Sequence, residues 1–180
     1  MNKDNPFQKQ RFSAHLGLER ITELCSRLGD PHRQFRSIHI GGTNGKGSTA
    51  AYLASVLEHH GYRVGLFTSP HLVDYRERFR INGDLISAEE LAAISAEVNE
   101  LMSKIEAEFP EYGTFTMFEG AAATAFLYFS AQNVDWAVIE VGLGGRFDAT
   151  NILHPEISVI TPVGHDHLDR LGPTLADVAR

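Results

Sequence analysis

The sequence holds one cysteine, Cys25, among 180 residues, which excludes an intrachain disulfide and suits a reducing, cytoplasmic compartment. Basic residues are in deficit: 16 lysines and arginines against 23 acids leave a formal charge of −7. That balance gives no footprint for a polyanion, so nucleic acid is not an expected partner, although a local pocket could still take a small anion. Long apolar runs are missing too. The most apolar stretch, Ala121 to Phe129, falls well short of the ~20 residues that cross a bilayer, so no membrane partner is expected. Met1 to Gln10 is polar and lacks the apolar segment of a secretory signal. No repeat or low-complexity linker divides the chain. What is present is an ordinary globular composition, 43% apolar and 22% charged. A chain of this length can bury roughly 70% of its unfolded surface.

Strands alternate with helices along the chain. Leu16, Ile21, Leu24 and Leu28 share one helical face, and Gly29-Asp30-Pro31 ends that helix. Phe35 to Ile40 reads as a strand, Gly41 to Gly47 as a glycine-rich turn, Ser48 to His60 as a helix closed by Gly61, and Tyr62 to Phe67 as a second strand. This is the length of a βαβ unit. Asn82-Gly83, flanked by Phe79, Ile81, Leu85 and Ile86, predicts a two-residue hairpin within Arg78 to Ile86. Ser87 with Glu90 is a capping box that opens a helix running to about Pro110. Gly120 to Gln132 is an alanine-rich, buried helix. Trp136 to Val141 and Ile157 to Thr161 are the nearly unbroken apolar runs of central strands in a parallel sheet covered on both faces. The expected fold is therefore α/β: a mostly parallel sheet with helices on both faces. Thr174 caps a helix whose apolar stripe, Leu175, Val178 and Ala179, stops at Arg180. Two turns are marginal alone, so the chain reads as a truncated piece of a longer protein.

Three strand ends carry chemistry. Gly42-Thr43-Asn44-Gly45-Lys46-Gly47-Ser48-Thr49 lies between strand and helix. Its glycines let backbone N–H groups close around phosphate oxygens, and the helix terminus adds positive potential. Lys46 offers a point charge to the outer phosphates, and Ser48 or Thr49 a hydroxyl to a cation. Gly47 intervenes between Lys46 and Ser48, so the G-x-x-x-x-G-K-[ST] pattern is not met literally. Glu140, at the end of an apolar strand, is costly to bury without a partner or a metal. Beside a phosphate loop, a Mg²⁺ site is the favoured reading over a structural cap. Gly142-Leu143-Gly144-Gly145-Arg146 follows it, with an arginine fork for phosphate or carboxylate. His165-Asp166-His167 follows the third strand, at the carboxyl edge where open α/β sheets bind ligands.

In chain order, the phosphate loop, Thr68-Ser69-Pro70-His71-Leu72, Thr116-Met117-Phe118-Glu119, Glu140 through Asn151, and Asp166-His167 with Leu171-Gly172 resemble one family. This is the bifunctional folylpolyglutamate synthase/dihydrofolate synthase family of bacteria, within the Mur-ligase superfamily. The resemblance runs from about Leu16 to the last residue, and the family's loop carries the extra glycine. It implies that residues 1–180 are the N-terminal portion of a P-loop, Mur-ligase-like ATP-binding domain, with the glutamate-ligase domain absent.

By the same resemblance, Thr43, Asn44, Gly45, Lys46, Gly47 and Ser48 cradle ATP, with Lys46, Glu140 and His167 catalytic. Ser69, Glu140 and His167 are the implied Mg²⁺ ligands. Thr116, Met117, Phe118, Glu119, Phe147, Asp148 and Ala149 are the implied contacts of the pterin substrate; core packing is the alternative for Phe118. The implied reaction is ATP-driven ligation of L-glutamate to dihydropteroate or folate through an acyl phosphate, by a monomeric full-length enzyme. The 180 residues alone are expected to be inactive. A cell-wall amino-acid ligase and a nucleotide-dependent binding module are the competing readings. The only Asn-Lys, Asn2-Lys3, lacks the aspartate of a guanine-specific switch.

Overall fold

The structure is a computed structural model and describes residues 5–7 and 17–179. His15, Leu16, Arg180 and most of the polar start lie outside the described residues. Helix α1 covers Glu19–Arg27, and Gly29 and Asp30, both at positive φ, turn the chain out of it. Strand β1 (Arg36–Gly41), helix α2 (Lys46–His59) and strand β2 (Val64–Phe67) follow. Strands β3 (Phe79–Ile81) and β4 (Asp84–Leu85) form the expected hairpin, with Asn82 and Gly83 at φ 47° and 83°. The Ser87–Glu90 box opens α3 (Ala88–Glu108). Helix α4 (Met117–Ala131), strands β5 (Trp136–Glu140) and β6 (Ile157–Ile160), and short helices α5 (Leu168–Leu171) and α6 (Leu175–Ala179) complete the chain. Among the described residues, no helix is long and apolar enough to cross a membrane.

The six strands form one sheet in the order β4-β3-β2-β5-β1-β6. Strands β2, β5, β1 and β6 are parallel, and the β3–β4 hairpin adds an antiparallel edge. The β1–α2–β2 unit is present, but its strands are not neighbours: β5 pairs with both. The crossover skips a strand because a helix of this length can reach across one, and local sequence does not record the skip. Alternate side chains of β5 serve two cores. Ala137 and Ile139 join the larger one, with α1, α3 and α4. Val138 joins Ile38, Ile40 and Val64 beneath Ala50 and Ala54 of α2.

Among the described residues β6 pairs with β1 alone, and Ile157 and Ile160 are exposed. One expectation is corrected. Helix α4 starts at Met117, not Gly120, because Thr116 and Glu119 form a capping box.

Gly65 marks a close contact between β2 and α4. A Cβ there would fall 2.8 Å from ring atoms of the buried Phe129. Gly65→Ala is therefore expected to cost about 1–3 kcal/mol by overpacking. A urea midpoint at or above that of the parent would contradict this.

Candidate active site

Parallel pairing sets Ile40 of β1 beside Glu140 of β5, so the phosphate loop and the strand-end carboxylate emerge side by side. Gly42, at φ 126°, must be glycine, since a Cβ would lie 2.1 Å from Thr161 Oγ1. The Thr43 and Asn44 amides donate to the Pro162 carbonyl at 3.1 and 3.3 Å. Thr43 Oγ1 accepts from the Gly164 amide at 3.0 Å, tying the loop to the segment after β6.

Helix α2 begins at Lys46, two residues earlier than the sequence suggests, with Gly45 at φ 84° as its N-cap. No side chain caps this end. The first turn of a helix leaves its N–H groups without intrahelical partners, so Gly45, Lys46, Gly47 and Ser48 present an open, electropositive rim. The Lys46 ammonium folds back to donate to the Thr43 carbonyl at 3.4 Å.

Glu140 lies beneath this turn: a Cβ on Gly47 would be 3.6 Å from its Oε2. The carboxylate is 5% exposed, and its Oε2 accepts from the Ser69 amide at 3.0 Å. Burial pushes its pKa up, against the Ser69 N–H, Lys46 and Arg78. Arg78, which sequence reading missed, is half-buried and close enough to Glu140 to interact with its charge. Its Nε donates to His71 Nδ1 at 3.1 Å and its guanidinium lies 5.2 Å from the Tyr75 ring centre. Burial lowers the Arg78 pKa, while Tyr75 and Glu140 favour its charge.

One cleft of about 100 Å³ collects Thr43, Lys46, Gly142 and His167. His167 is exposed, at φ 49°, and its amide donates to Asp166 Oδ1. Ser69 and Glu140 thus form a contact pair, and His167 stands on the cleft with Lys46. Among the described residues, no three His, Cys, Asp or Glu side chains gather to hold a metal. A cation held here by Glu140 and its neighbours needs oxygens from a nucleotide and water to complete its shell, which is how Mg²⁺ is ordinarily bound.

The seven expected substrate contacts divide into two kinds. Met117 and Phe118 are half-buried and Phe147 is 52% exposed. Phe118 packs on Phe67 and under Gly142, where a Cβ would come within 2.5 Å of its ring. The polar groups of Thr116, Glu119 and Asp148 are buried and engaged inside the protein. Glu119 Oε2 accepts from the Thr116 amide and hydroxyl at 2.7 and 2.8 Å, and its Oε1 accepts from Arg20 Nε at 2.8 Å. Asp148 Oδ2 accepts from the Gly142 and Leu143 amides at 3.0 and 2.9 Å, and Oδ1 from the Thr150 amide and hydroxyl. Ala149 is buried beside it. The T-x-x-E spacing was a readable capping signal; the Arg20 pairing, 99 residues apart, had none.

The Mur ligase middle-domain family model matches residues 40–180. The chain belongs to the Mur ligase family. A Bacillus subtilis dihydrofolate synthase/folylpolyglutamate synthase is 46% identical over 171 residues, 94% of this chain and 39% of that protein. Among solved structures, a Mycobacterium tuberculosis folylpolyglutamate synthase complexed with ADP is 41% identical, with TM-score 0.84, covering 89% of this chain and 36% of that one. The Escherichia coli FolC in complex with DHPP and ADP is 36% identical, with TM-score 0.83, covering 97% and 40%. The chain therefore spans about two fifths of the length of these Mur-ligase relatives. The α/β fold and the family resemblance expected from the sequence both hold.

Proposed function

We propose that residues 1–180 form the N-terminal portion of the ATP-binding domain of a cytoplasmic ligase that joins L-glutamate to dihydropteroate, folate or both. The observation that carries this reading is the uncapped first turn of α2, with Lys46, set directly over the Glu140 carboxylate. The folylpolyglutamate and dihydrofolate synthases among the relatives, and the ADP and DHPP in two of their structures, support the substrate class. A monomeric full-length enzyme fits it.

In this reading the α2 amides and Lys46 hold the outer phosphates while a substrate carboxylate attacks the γ-phosphorus. ADP leaves, and an acyl phosphate forms. The glutamate amine then attacks the activated carbonyl, a proton is lost from nitrogen, and phosphate departs. Positioning and charge neutralisation are the protein's contribution to the first step. The donor set of Ser69, Glu140 and His167 suits Mg²⁺, which when bound supplies further neutralisation of phosphate charge. Met117, Phe118, Phe147 and the backbone near Ala149 border the pterin; Thr116, Glu119 and Asp148 shape that border.

The full-length protein, given dihydropteroate or folate with ATP, Mg²⁺ and L-glutamate, is expected to yield the glutamylated product by mass. Failure with both acceptors sinks the reading. Glu140→Gln keeps shape but loses charge, so half-maximal turnover is expected to need about tenfold more Mg²⁺, the loss typical of a weakened metal site. An unchanged titration would make Glu140 a structural acid.

A further inference from the structure

We infer that His39 is a positioning residue: as an Nε2–H donor it anchors Thr150, and through Asp148 it sets the 142–143 turn that lines the cleft. His39 lies on β1, three residues before Gly42. Its neighbours Ile38 and Ile40 point toward α2, so its ring points to the opposite face, where Nε2 lies 2.7 Å from Thr150 Oγ1. Thr150 is fully buried and its hydroxyl also contacts Asp148 Oδ1. The other oxygen, Oδ2, takes the amides of Gly142 and Leu143. One hydrogen-bonded chain therefore runs beneath the cleft, from the strand that ends in the phosphate loop to the turn that forms the facing wall.

Proton counting gives this chain a direction. Burial raises the Asp148 pKa, but three backbone N–H groups point at it, the arrangement that holds a carboxylate ionised and with no proton to give. Thr150 has a single hydroxyl proton, and it goes to Asp148 Oδ1. The hydroxyl oxygen is then left as acceptor, and the imidazole must supply N–H from Nε2. Burial lowers the His39 pKa to about 4, so the ring is neutral near pH 7 and Nδ1 is bare. A proton on Asp148 Oδ1 would reverse the two side-chain bonds, Asp148 to Thr150 and Thr150 to His39, and place the ring proton on Nδ1. Gly142 covers the Phe118 ring, so a shifted turn also moves the surface assigned to the pterin.

The inference rests on the ligase reading for its kinetic consequence but not for its structural one. In the full-length protein, nitrogen-15 NMR of the histidines is expected to show His39 protonated on Nε2. His39→Leu is expected to speed hydrogen exchange of the Gly142 and Leu143 amides about tenfold or more, with Ile139 in β5 unchanged. Its kcat/KM for dihydropteroate is expected to fall about 10- to 100-fold, as for lost orienting partners elsewhere. His39→Gln, whose amide can donate from a similar point, restores both. If His39→Leu does not fold, Thr150→Val against Thr150→Ser makes the same comparison. An Nδ1–H tautomer, or parental exchange at Gly142 and Leu143 in the broken chain, overturns the inference. Altered exchange in a protein that ligates no glutamate would instead leave the chain standing and remove the ligase reading.

Discussion

Lys46→Ala in the full-length protein is expected to lower ligase turnover about 10²- to 10³-fold, the loss seen when one preorganised group stabilising transferred charge is removed. Lys46 is the first residue of α2, and its ammonium is already drawn over the loop by the Thr43 carbonyl. The truncation removes a cation whose site lies beside four open amides, so developing phosphoryl charge would lose its one lysine counter-ion in the loop. Folding should survive, because the side chain is only half-buried and its single hydrogen bond is 3.4 Å long. The check is single-turnover acyl-phosphate formation, with circular dichroism to confirm the fold. Turnover within about threefold of the parent, far short of that loss, would remove Lys46 from the phosphate site.

The second large effect concerns stability. Arg20 on α1 and Glu119 on α4 form an ion pair whose side chains are 4% and 6% exposed. Arg20 Nη1 also donates to the Tyr112 carbonyl, so one guanidinium joins the first helix, the turn before α4 and the α4 cap. Arg20→Met keeps the aliphatic stem and removes the charge, leaving a buried carboxylate that retains only its cap partners. Breaking such a pair is expected to cost about 3–5 kcal/mol. Adding Glu119→Gln should recover part of that loss, because no unpaired charge remains. Urea unfolding of the three proteins checks both statements; a single mutant within about 1 kcal/mol of the parent, as for an exposed pair, would contradict the first.

These two residues show how unevenly the site could be read from the chain. Lys46 was visible because its neighbours in sequence are its neighbours in space: a strand, glycines and a helix start within ten residues. Glu140 was visible because a carboxylate in an apolar run is costly unless it is used. Arg20, His39 and Arg78 were not visible. Their partners lie 99, 111 and 7 residues away, and even the nearest requires knowing how the loop after β2 folds back. Asp148 was noticed for the right segment, yet its four hydrogen bonds turn it inward to hold the 142–143 turn.

Periodicity, capping boxes and turn chemistry act between residues a few positions apart, and they decided the helices, the Asn82–Gly83 hairpin, the α/β class and the phosphate loop before any pairing was known. Strand order did not follow from them. Whether β5 inserts between β1 and β2 depends on which apolar faces find each other across a hundred residues. That insertion places Glu140 beside the phosphate loop, and the same packing commits Thr116, Glu119 and Asp148 to internal bonds. A side chain's burial and partners are properties of the assembled core, so the tertiary structure alone settled which polar residues face the cleft and which hold it in shape.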